Sequence, residues 1–392
     1  MNERWDVLVL GGGAAGCAAA LAAAEAGART ALLRAGPGAS ALGSGGWRGP
    51  LASMLRDRLA AAGYPLEQAS GPLPHPCGDL RHYELAGASH AGATPVAGTL
   101  VVGIAGIAGF HAPALARLWG EAAGVPLRAA EVTLEGTPPA GWSPVALAAL
   151  LDREPERLGR VLRTLDASDD AAIILPAVLG IERPEATRAA VAAAAGRPVH
   201  EALGTPPSLP GWRLDRAFLA ALASAGVTVI EGHADGCQVE NGRARRALLA
   251  QRNGGGDGEG LEAEAFVLAT GKFLAGGVVG GVGGGEHLRD AVFGLPAAAE
   301  RFGERIPEAE PLAVTDVDRT DAQPLLAAGV RLDAEGRPLS IEGVAAAANV
   351  WAAGAVRAGA ETAWLGLGHA AAEGRRAGTR AAAAAAASRG GA

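Results

Sequence analysis

The segment that most constrains the fold is residues 6–34, which read DVLVLGGGAAGCAAALAAAEAGARTALLR. An apolar β-type run leads into Gly11, Gly13 and Gly16, an alanine-rich stretch follows to Gly27, and a second β-type run comes next. In a strand–helix–strand unit the first glycine permits a tight turn and the second lets the backbone approach a phosphate. The third lets helix and strand pack closely. The segment therefore predicts a nucleotide site at the N-terminus of the first helix.

The second β-type run ends in Arg34, where an acidic residue usually holds an adenosine ribose. A guanidinium cannot accept a hydrogen bond from a ribose hydroxyl, but it pairs well with a phosphate. The departure weakens the case for an ordinary NAD or FAD adenosine half. It leaves room for a mononucleotide flavin or a 2′-phosphate.

Two later segments complete a fold of this type. Residues 236–271 predict a β-meander with a hairpin turn at Asn241-Gly242, a second turn at 253–260, and an end at the ATG turn that closes on Gly271. A buried strand within 348–356 ends at Gly354, and a helix of small residues follows. The sequence thus predicts an α/β protein with a Rossmann-like, two-dinucleotide-type flavoprotein fold, in which a parallel sheet is combined with a β-meander. Here an alanine follows the last glycine, where an acid often stands.

An insert with its own α/β pattern interrupts this fold. Apolar β-type runs at 99–110 and 171–181 enclose helical stretches near 113–123 and 144–166. The predicted organisation has a discontinuous flavin-binding domain, an inserted α/β domain and a connecting or cap segment. The flavin-binding domain comprises 1–50, 201–295 and 340–392. The inserted domain comprises 51–200, and the connecting or cap segment comprises 296–339.

Composition and charge exclude several classes of protein. A net charge of −7 over 392 residues and an aromatic content of 4% argue against nucleic-acid binding. Cys17, Cys77 and Cys237 lie far apart without a CxxC pair, which excludes an iron–sulfur or structural zinc site within the chain and fits a reducing compartment. No stretch reads as a membrane span. The sequence therefore predicts a cytoplasmic protein without a metal site or a direct membrane span.

Seven stretches together resemble the B subunit of the anaerobic glycerol-3-phosphate dehydrogenase family. The more specific are LVVGIAGIAGF and LGTPPSLPGWRL, and the others are VLVLGGGAAG, ILPAVLGI, FVLATGKFLAGGVV, LRDAVFGLP and NVWAAGAV. The resemblance implies an FMN-dependent oxidoreductase subunit, with FAD as the alternative, in an enzyme that oxidises glycerol-3-phosphate to dihydroxyacetone phosphate. Arg34 fits this family, whose members share an arginine near the end of the second strand.

The same resemblance implies two partner proteins. One is the catalytic, FAD-bearing A subunit of that enzyme, and the other is a membrane-associated iron–sulfur subunit that passes electrons to quinone in anaerobic respiration. The chain would then lie in the cytoplasm, peripheral to the inner face of the membrane through a partner.

No His/Arg/carboxylate set for oxidising an alcohol is evident, so no catalytic residue is assigned. Arg289 is expected to pair with Asp290 more readily than to bind an anionic substrate, and His287 and His369 are expected to be structural. Two other functions stay open. One is a self-sufficient flavin oxidoreductase of another small substrate, and the other is a non-catalytic scaffold subunit with a degenerate nucleotide site.

The candidate cofactor-binding residues are Gly11, Gly13, Gly16, Arg34, Ser44, Gly45, Gly271, Lys272 and Gly354. Lys272 is the only lysine of the chain and follows the ATG turn, where an ammonium would stabilise the N1–C2=O region of an anionic reduced flavin. Its alternative role is a loop lysine that contacts solvent or a helix carbonyl. Ser44 and Gly45 lie in the loop after the second strand, where related folds pass near the isoalloxazine.

Overall fold

The computed structural model describes residues 4–138, 140–165, 172–250, 260–280, 287–301, 304–306, 324–360 and 362–390. Its helices are α1 (Ala14–Glu25), α2 (Ser53–Ala61), α3 (Ala88–Ala91), α4 (Ala112–Ala123), α5 (Pro144–Leu151), α6 (Pro155–Arg163), α7 (Pro184–Ala195), α8 (Leu209–Ser224), α9 (Pro324–Ala327) and α10 (Thr362–Gly390). Its strands are β1 (Arg4–Leu10), β2 (Thr30–Arg34), β3 (Gly46–Trp47), β4 (Leu66–Gln68), β5 (Leu73–Pro74), β6 (Leu80–Arg81), β7 (Leu85–Gly87), β8 (Leu100–Ile104), β9 (Arg128–Val132), β10 (Ile173–Leu175), β11 (Val199–Glu201), β12 (Thr228–Glu231), β13 (Ala234–Glu240), β14 (Arg243–Leu249), β15 (Gly260–Leu268), β16 (Val278–Gly280), β17 (Leu288–Asp290), β18 (Ala297–Arg301), β19 (Glu304–Ile306), β20 (Gly329–Val330) and β21 (Val350–Ala352).

The chain folds into two compact units. The first comprises Met1–Ser40, Gly49–Leu55 and Phe218–Ala392, and the second comprises Ala41–Arg48 and Arg56–Ala217. The domain boundaries predicted from the sequence stay a prediction.

The first unit is built on one large sheet. Strands β12, β2, β1 and β15 are parallel neighbours in that order. The first residues of β15 pair antiparallel with β14, its last residues pair parallel with β21, and β13 follows β14 antiparallel. The Val, Leu and Ala runs of β1 and β15 suit strands that are covered on both faces. The predicted Rossmann-like sheet with a β-meander is therefore confirmed.

Helices α1 and α10 pack backbone to backbone in this unit. A Cβ on Gly374 would overlap the carbonyl oxygen of Ala15, and a Cβ on Gly378 would overlap that of Ala19. The two glycines are four residues apart and so lie on one face of α10, one turn after the other. Only glycine at these positions lets the two helices come this close.

The second unit contains a four-stranded parallel sheet in the order β11-β10-β8-β9. Its strands are short and fully buried at β8 and β10, and its core includes Trp119 of α4 and Leu147 of α5. Two small antiparallel sheets, β3-β7-β4 and β5-β6, complete the unit. This unit has the α/β content that the sequence predicts for the insert, and the insert itself stays a prediction.

Helix α8 begins earlier than its sequence indicates. The pattern predicts a helix over 216–225, whereas α8 runs from Leu209 to Ser224. Ser208 caps it, because its hydroxyl accepts the backbone N–H of Gly211 at 3.1 Å, and the proline at 210 is tolerated in a first turn.

The second meander turn, at 253–260, and the connecting segment, at 296–339, are among the predicted segments that lie partly outside the described residues.

Candidate functional site

The glycine turn between β1 and α1 is closed on two sides and open on a third. Gly11 has a φ of +115°, and a Cβ there would overlap the carbonyl oxygen of Ala269. A Cβ on Gly16 would overlap the carbonyl oxygen of Gly11. A Cβ on Gly13, whose φ is −76°, would meet only the Ser40 hydroxyl, at 3.9 Å. The space above Gly13 is where a ligand atom fits against the backbone.

The start of α1 presents its amide groups to that space. Gly13 precedes the helix and has no side chain to cap it, and the first turn carries no acidic residue. The helix has 12 residues, so its aligned peptide dipoles add positive partial charge at this end. A phosphate is the kind of ligand that such a helix start favours.

Arg34 lies at the end of β2 against the glycine turn. It is 4% exposed, and a Cβ on Gly12 would lie 2.8 Å from the Arg34 Cβ. Its Nε lies 3.7 Å from Oε1 of Glu231, its register partner on β12. The strand thus ends in a buried guanidinium beside the turn, and a role for Arg34 in binding phosphate stays a prediction.

The glycine turn after β21 contacts the first turn of α1. Gly354 has a φ of +75°, and a Cβ there would lie 2.6 Å from the Ala15 Cβ, so both conformation and space require glycine. Its N–H donates to Oε2 of Glu373 at 3.0 Å, and Arg357 Nη2 lies 2.6 Å from Oε1 of the same carboxylate. Ala355 follows this glycine where an acid is common, and α10 supplies a carboxylate to the turn instead.

Lys272 is buried and bound to backbone carbonyls. The residue is 7% exposed, and its Nζ donates to the carbonyl oxygens of Leu326 in α9 and of Ala360, the latter at 2.6 Å. The preceding residue, Gly271, has a φ of +76°. The ammonium therefore joins three segments that are far apart in sequence, and its action on a reduced flavin stays a prediction.

We expect Lys272→Met to lower the free energy of unfolding by about 3 kcal/mol or more. Hydrogen bonds to charged groups contribute about 1.5–3 kcal/mol each, and this change leaves two carbonyl oxygens without their donor. Lys272→Arg keeps the charge and should recover part of the loss. Denaturant unfolding of both variants measures the effect. An unchanged stability with a lower flavin potential in the Met variant would instead favour the electrostatic role.

Ser44 and Gly45 belong to the second unit, whereas the other candidate cofactor residues belong to the first. Gly45 has a φ of +104°, and a Cβ there would lie 2.8 Å from Nε2 of His90. Ser44 Oγ lies 3.2 Å from the Tyr83 hydroxyl, and the Tyr83 ring packs so closely on Gly46 that a Cβ would overlap it. Tyr83 is not among the candidate residues predicted from the sequence, and contact of this loop with a cofactor stays a prediction.

The LGTPPSLPGWRL segment holds the same loop. The Ser208 hydroxyl donates to the carbonyl oxygen of Gly43 at 2.5 Å, and the Gly204 N–H donates to that of Ser44 at 2.8 Å. The segment thus fixes the backbone on both sides of the Ser44 side chain.

The chain matches the model of a known family, the FAD binding domain, over residues 6–80 and 156–368. The chain belongs to this family. It is 34% identical to the probable B subunit of the anaerobic glycerol-3-phosphate dehydrogenase of Halobacterium salinarum, over 67% of this chain and 61% of that protein. It is 28% identical to the B subunit of the anaerobic glycerol-3-phosphate dehydrogenase of Pectobacterium atrosepticum, over 77% of this chain and 81% of that protein. The alignment thus spans less than two thirds of the Halobacterium protein.

Solved structures also match, at low scores. A flavocytochrome c3 fumarate reductase matches 98% of this chain and 79% of its own, with 13% identity and a TM-score of 0.39. A 3-ketosteroid-Δ4-(5α)-dehydrogenase from Rhodococcus jostii matches 97% of each chain, with 14% identity and a TM-score of 0.40. Similarity at these scores supports no inference about the site.

The residues of the glycine turn fit the flavin that the FAD-binding family implies. The space above Gly13 would be filled by a Cβ, and the amides of α1 face it without a capping side chain. The predicted flavin is confirmed by the family, whereas the preference for FMN over FAD has no support from it.

None of the described helices is long and apolar enough to cross a membrane.

The predicted ion pair between Arg289 and Asp290 is wrong. The Asp290 carboxylate accepts hydrogen bonds from the backbone N–H groups of Val292, Phe293 and Leu295, at 2.9–3.2 Å. Burial raises the pKa of Asp290, although these hydrogen bonds act in the opposite direction. The carboxylate is satisfied by a local turn, and Arg289 forms no ion pair with a residue that the structure describes.

The second unit also contains a fully buried ion pair. Arg213 Nη1 lies 2.6 Å from Glu201 Oε2, its Nη2 donates to Oε1 at 3.0 Å, and its Nε donates to the carbonyl oxygen of Gly180 at 2.7 Å. Oε1 also accepts the backbone N–H groups of Val178 and Leu179. Burial alone raises the pKa of Glu201, but the Arg213 guanidinium and these hydrogen bonds lower it to about 2. The pair and its hydrogen bonds thus link three parts of the unit, namely β11, α8 and the segment that follows β10.

Proposed function

We propose that this chain is a flavin-bearing subunit of a glycerol-3-phosphate dehydrogenase. The observation that carries the proposal is the 34% identity to a B subunit of that enzyme, over 67% of a chain that has the FAD binding domain. The space above Gly13, in front of the first amides of α1, is called the phosphate cradle below. It supports the proposal independently, since a degenerate scaffold has no need to keep that space empty. The net reaction converts glycerol-3-phosphate to dihydroxyacetone phosphate and passes two electrons onward.

The backbone around Gly11, Gly13 and Gly16 holds the phosphate of the flavin nucleotide, with Arg34 beside it. We propose FAD as that nucleotide, because the family is described by FAD binding. A bound flavin accepts two electrons as a hydride equivalent and releases them singly, which connects an alcohol oxidation to one-electron carriers.

The substrate is oxidised on a partner chain in this proposal. The candidate residues of this chain are glycines, a serine, an arginine and a carbonyl-bound lysine, and none of them is a positioned general base for an alcohol. We therefore propose that one partner is the catalytic, FAD-bearing A subunit. Electrons then reach quinone through an iron–sulfur subunit, which lies at the inner face of the membrane.

Reconstitution tests this assignment. The purified full chain should be yellow, and mass spectrometry of the flavin released by denaturation should give FAD. Alone it should show little oxidation of glycerol-3-phosphate with a dye acceptor, and activity should appear when a homologous A subunit is added. Robust turnover by the chain alone would favour a self-sufficient oxidoreductase, and a folded but colourless chain would favour a scaffold.

A further inference from the structure

A groove lies beside the α1–α10 helix pair, away from the glycine turn. Its volume is about 360 Å³, within the range of about 300–1,000 Å³ that is usual for small-molecule sites. Its lining comes from α1, from α10 and from the segment just before and within α2, namely Ala18, Leu21, Pro50, Leu51, Ala52, Met54, Leu55, Ala371, Ala372, Arg375 and Arg376.

The groove follows from how closely the two helices pack. Gly374 and Gly378 bring α10 against the backbone of α1, and the flanking positions carry only methyl groups at Ala18, Ala371 and Ala372. Side chains this short cannot fill the space beside the line of contact between α1 and α10. Leu21 and Leu55 also line the groove and are buried, and apart from the two arginines every lining residue is apolar.

Arg375 and Arg376 give the groove its charge. Their side chains are exposed, and neither makes a hydrogen bond or ion pair with any residue of the described ranges. The other arginines of the same helix are engaged, since Arg380 contacts Glu335 and Arg389 lies 2.9 Å from Asp6. In a chain of net charge −7, two adjacent cations are thus left beside an apolar wall.

We propose that this groove binds an amphiphilic anion, a molecule with a hydrocarbon body and a carboxylate or phosphate head. The apolar walls take the hydrocarbon out of water, and the two guanidinium groups pair with the head, as arginine does with both kinds of anion. Neither group is neutralised by a described carboxylate, so the head meets their full charge. The site is separate from the phosphate cradle and does not depend on the function proposed above.

Titration calorimetry of the full chain tests the site with four probes. Decanoate and decyl phosphate carry the two kinds of head, decanol carries the tail without charge, and inorganic phosphate carries the charge without the tail. Decanoate, decyl phosphate or both should bind saturably, and their relative affinities identify the head. Decanol and inorganic phosphate should bind at least about tenfold more weakly, which corresponds to about 1.4 kcal/mol.

Variants assign the binding to the groove. Arg375→Gln combined with Arg376→Gln should weaken binding at least about tenfold, and Ala372→Trp should weaken it by filling the space. Arg380→Gln, on the same helix but engaged with Glu335, is the matched control and should bind as the wild type does. Failure of both amphiphiles to bind, or equal affinity in the double Gln variant, would overturn the site. Flavin content should be the same throughout, so a colourless chain would contradict the proposed function alone.

Discussion

The Gly13→Val variant is expected to fold as the wild type does and to bind no flavin. Gly13 has a φ of −76°, which valine also adopts, and a Cβ there meets only the Ser40 hydroxyl, at 3.9 Å. The valine methyl groups would occupy the space in front of the first amides of α1. A phosphate held outside hydrogen-bond distance loses both those donors and the helix dipole. The cost to the fold is about 1 kcal/mol, because valine is a poorer residue than glycine before a helix.

Variants of two other glycines serve as comparisons for this result. Gly280→Val is the matched control, since Gly280 is exposed in β16 and a Cβ there meets nothing within 4 Å, so it should keep its flavin. Gly16→Val should not fold, because a Cβ there overlaps the carbonyl oxygen of Gly11. The measurements are the flavin-to-protein absorbance ratio and thermal unfolding. A folded Gly13→Val protein with full flavin occupancy would refute the assignment of the cradle.

The cradle was predictable because its signal is local. Gly11, Gly13 and Gly16 lie within one turn and the start of one helix, and their spacing assigns each a role: a tight turn, room for a ligand, and close packing of helix on strand. The parallel sheet was predictable for a similar reason, since the C-terminal halves of β1 (VLVL) and β15 (AFVL) read as short, unbroken apolar runs. Both depend on residues that are close in sequence.

The contacts that complete the site were not predictable in this way. Glu373 reaches the turn at Gly354 from another element, and Lys272 finds its carbonyl partners 54 and 88 residues away. No spacing rule connects such residues, because the fold alone brings them together. Tyr83 left one weak signal, the glycine at 46, whose missing side chain makes room for the ring.

Breaking the ion pair of Arg213 with Glu201 should strongly destabilise the second unit. Arg213→Met is expected to lower the free energy of unfolding by about 3–5 kcal/mol, since it leaves a buried carboxylate without its counter-ion. Arg216→Met, three residues further along α8, is the matched control. Its partner Glu182 is 55% exposed, and an exposed pair contributes only about 0–1 kcal/mol. Urea unfolding compares the two variants, and similar losses in both would show that the buried pair contributes little.

We expect the free energy of unfolding to depend on pH through the protonation of Glu201. The folded-state pKa of Glu201 is about 2, below its ordinary value of 4.5, so its contribution is present above about pH 4.5 and is lost as the pH falls toward 2. A shift of this size corresponds to about 3 kcal/mol, at about 1.4 kcal/mol per pKa unit. The Glu201→Gln variant has no carboxyl group to titrate at this position. Its free energy of unfolding should therefore fall less steeply than that of the wild type between about pH 4.5 and pH 2. The difference between the two pH profiles removes the effect of the carboxylates that do not interact with Glu201. Parallel profiles would mean that Glu201 has a similar pKa in the folded and unfolded chains, and that Arg213 does not hold it ionised.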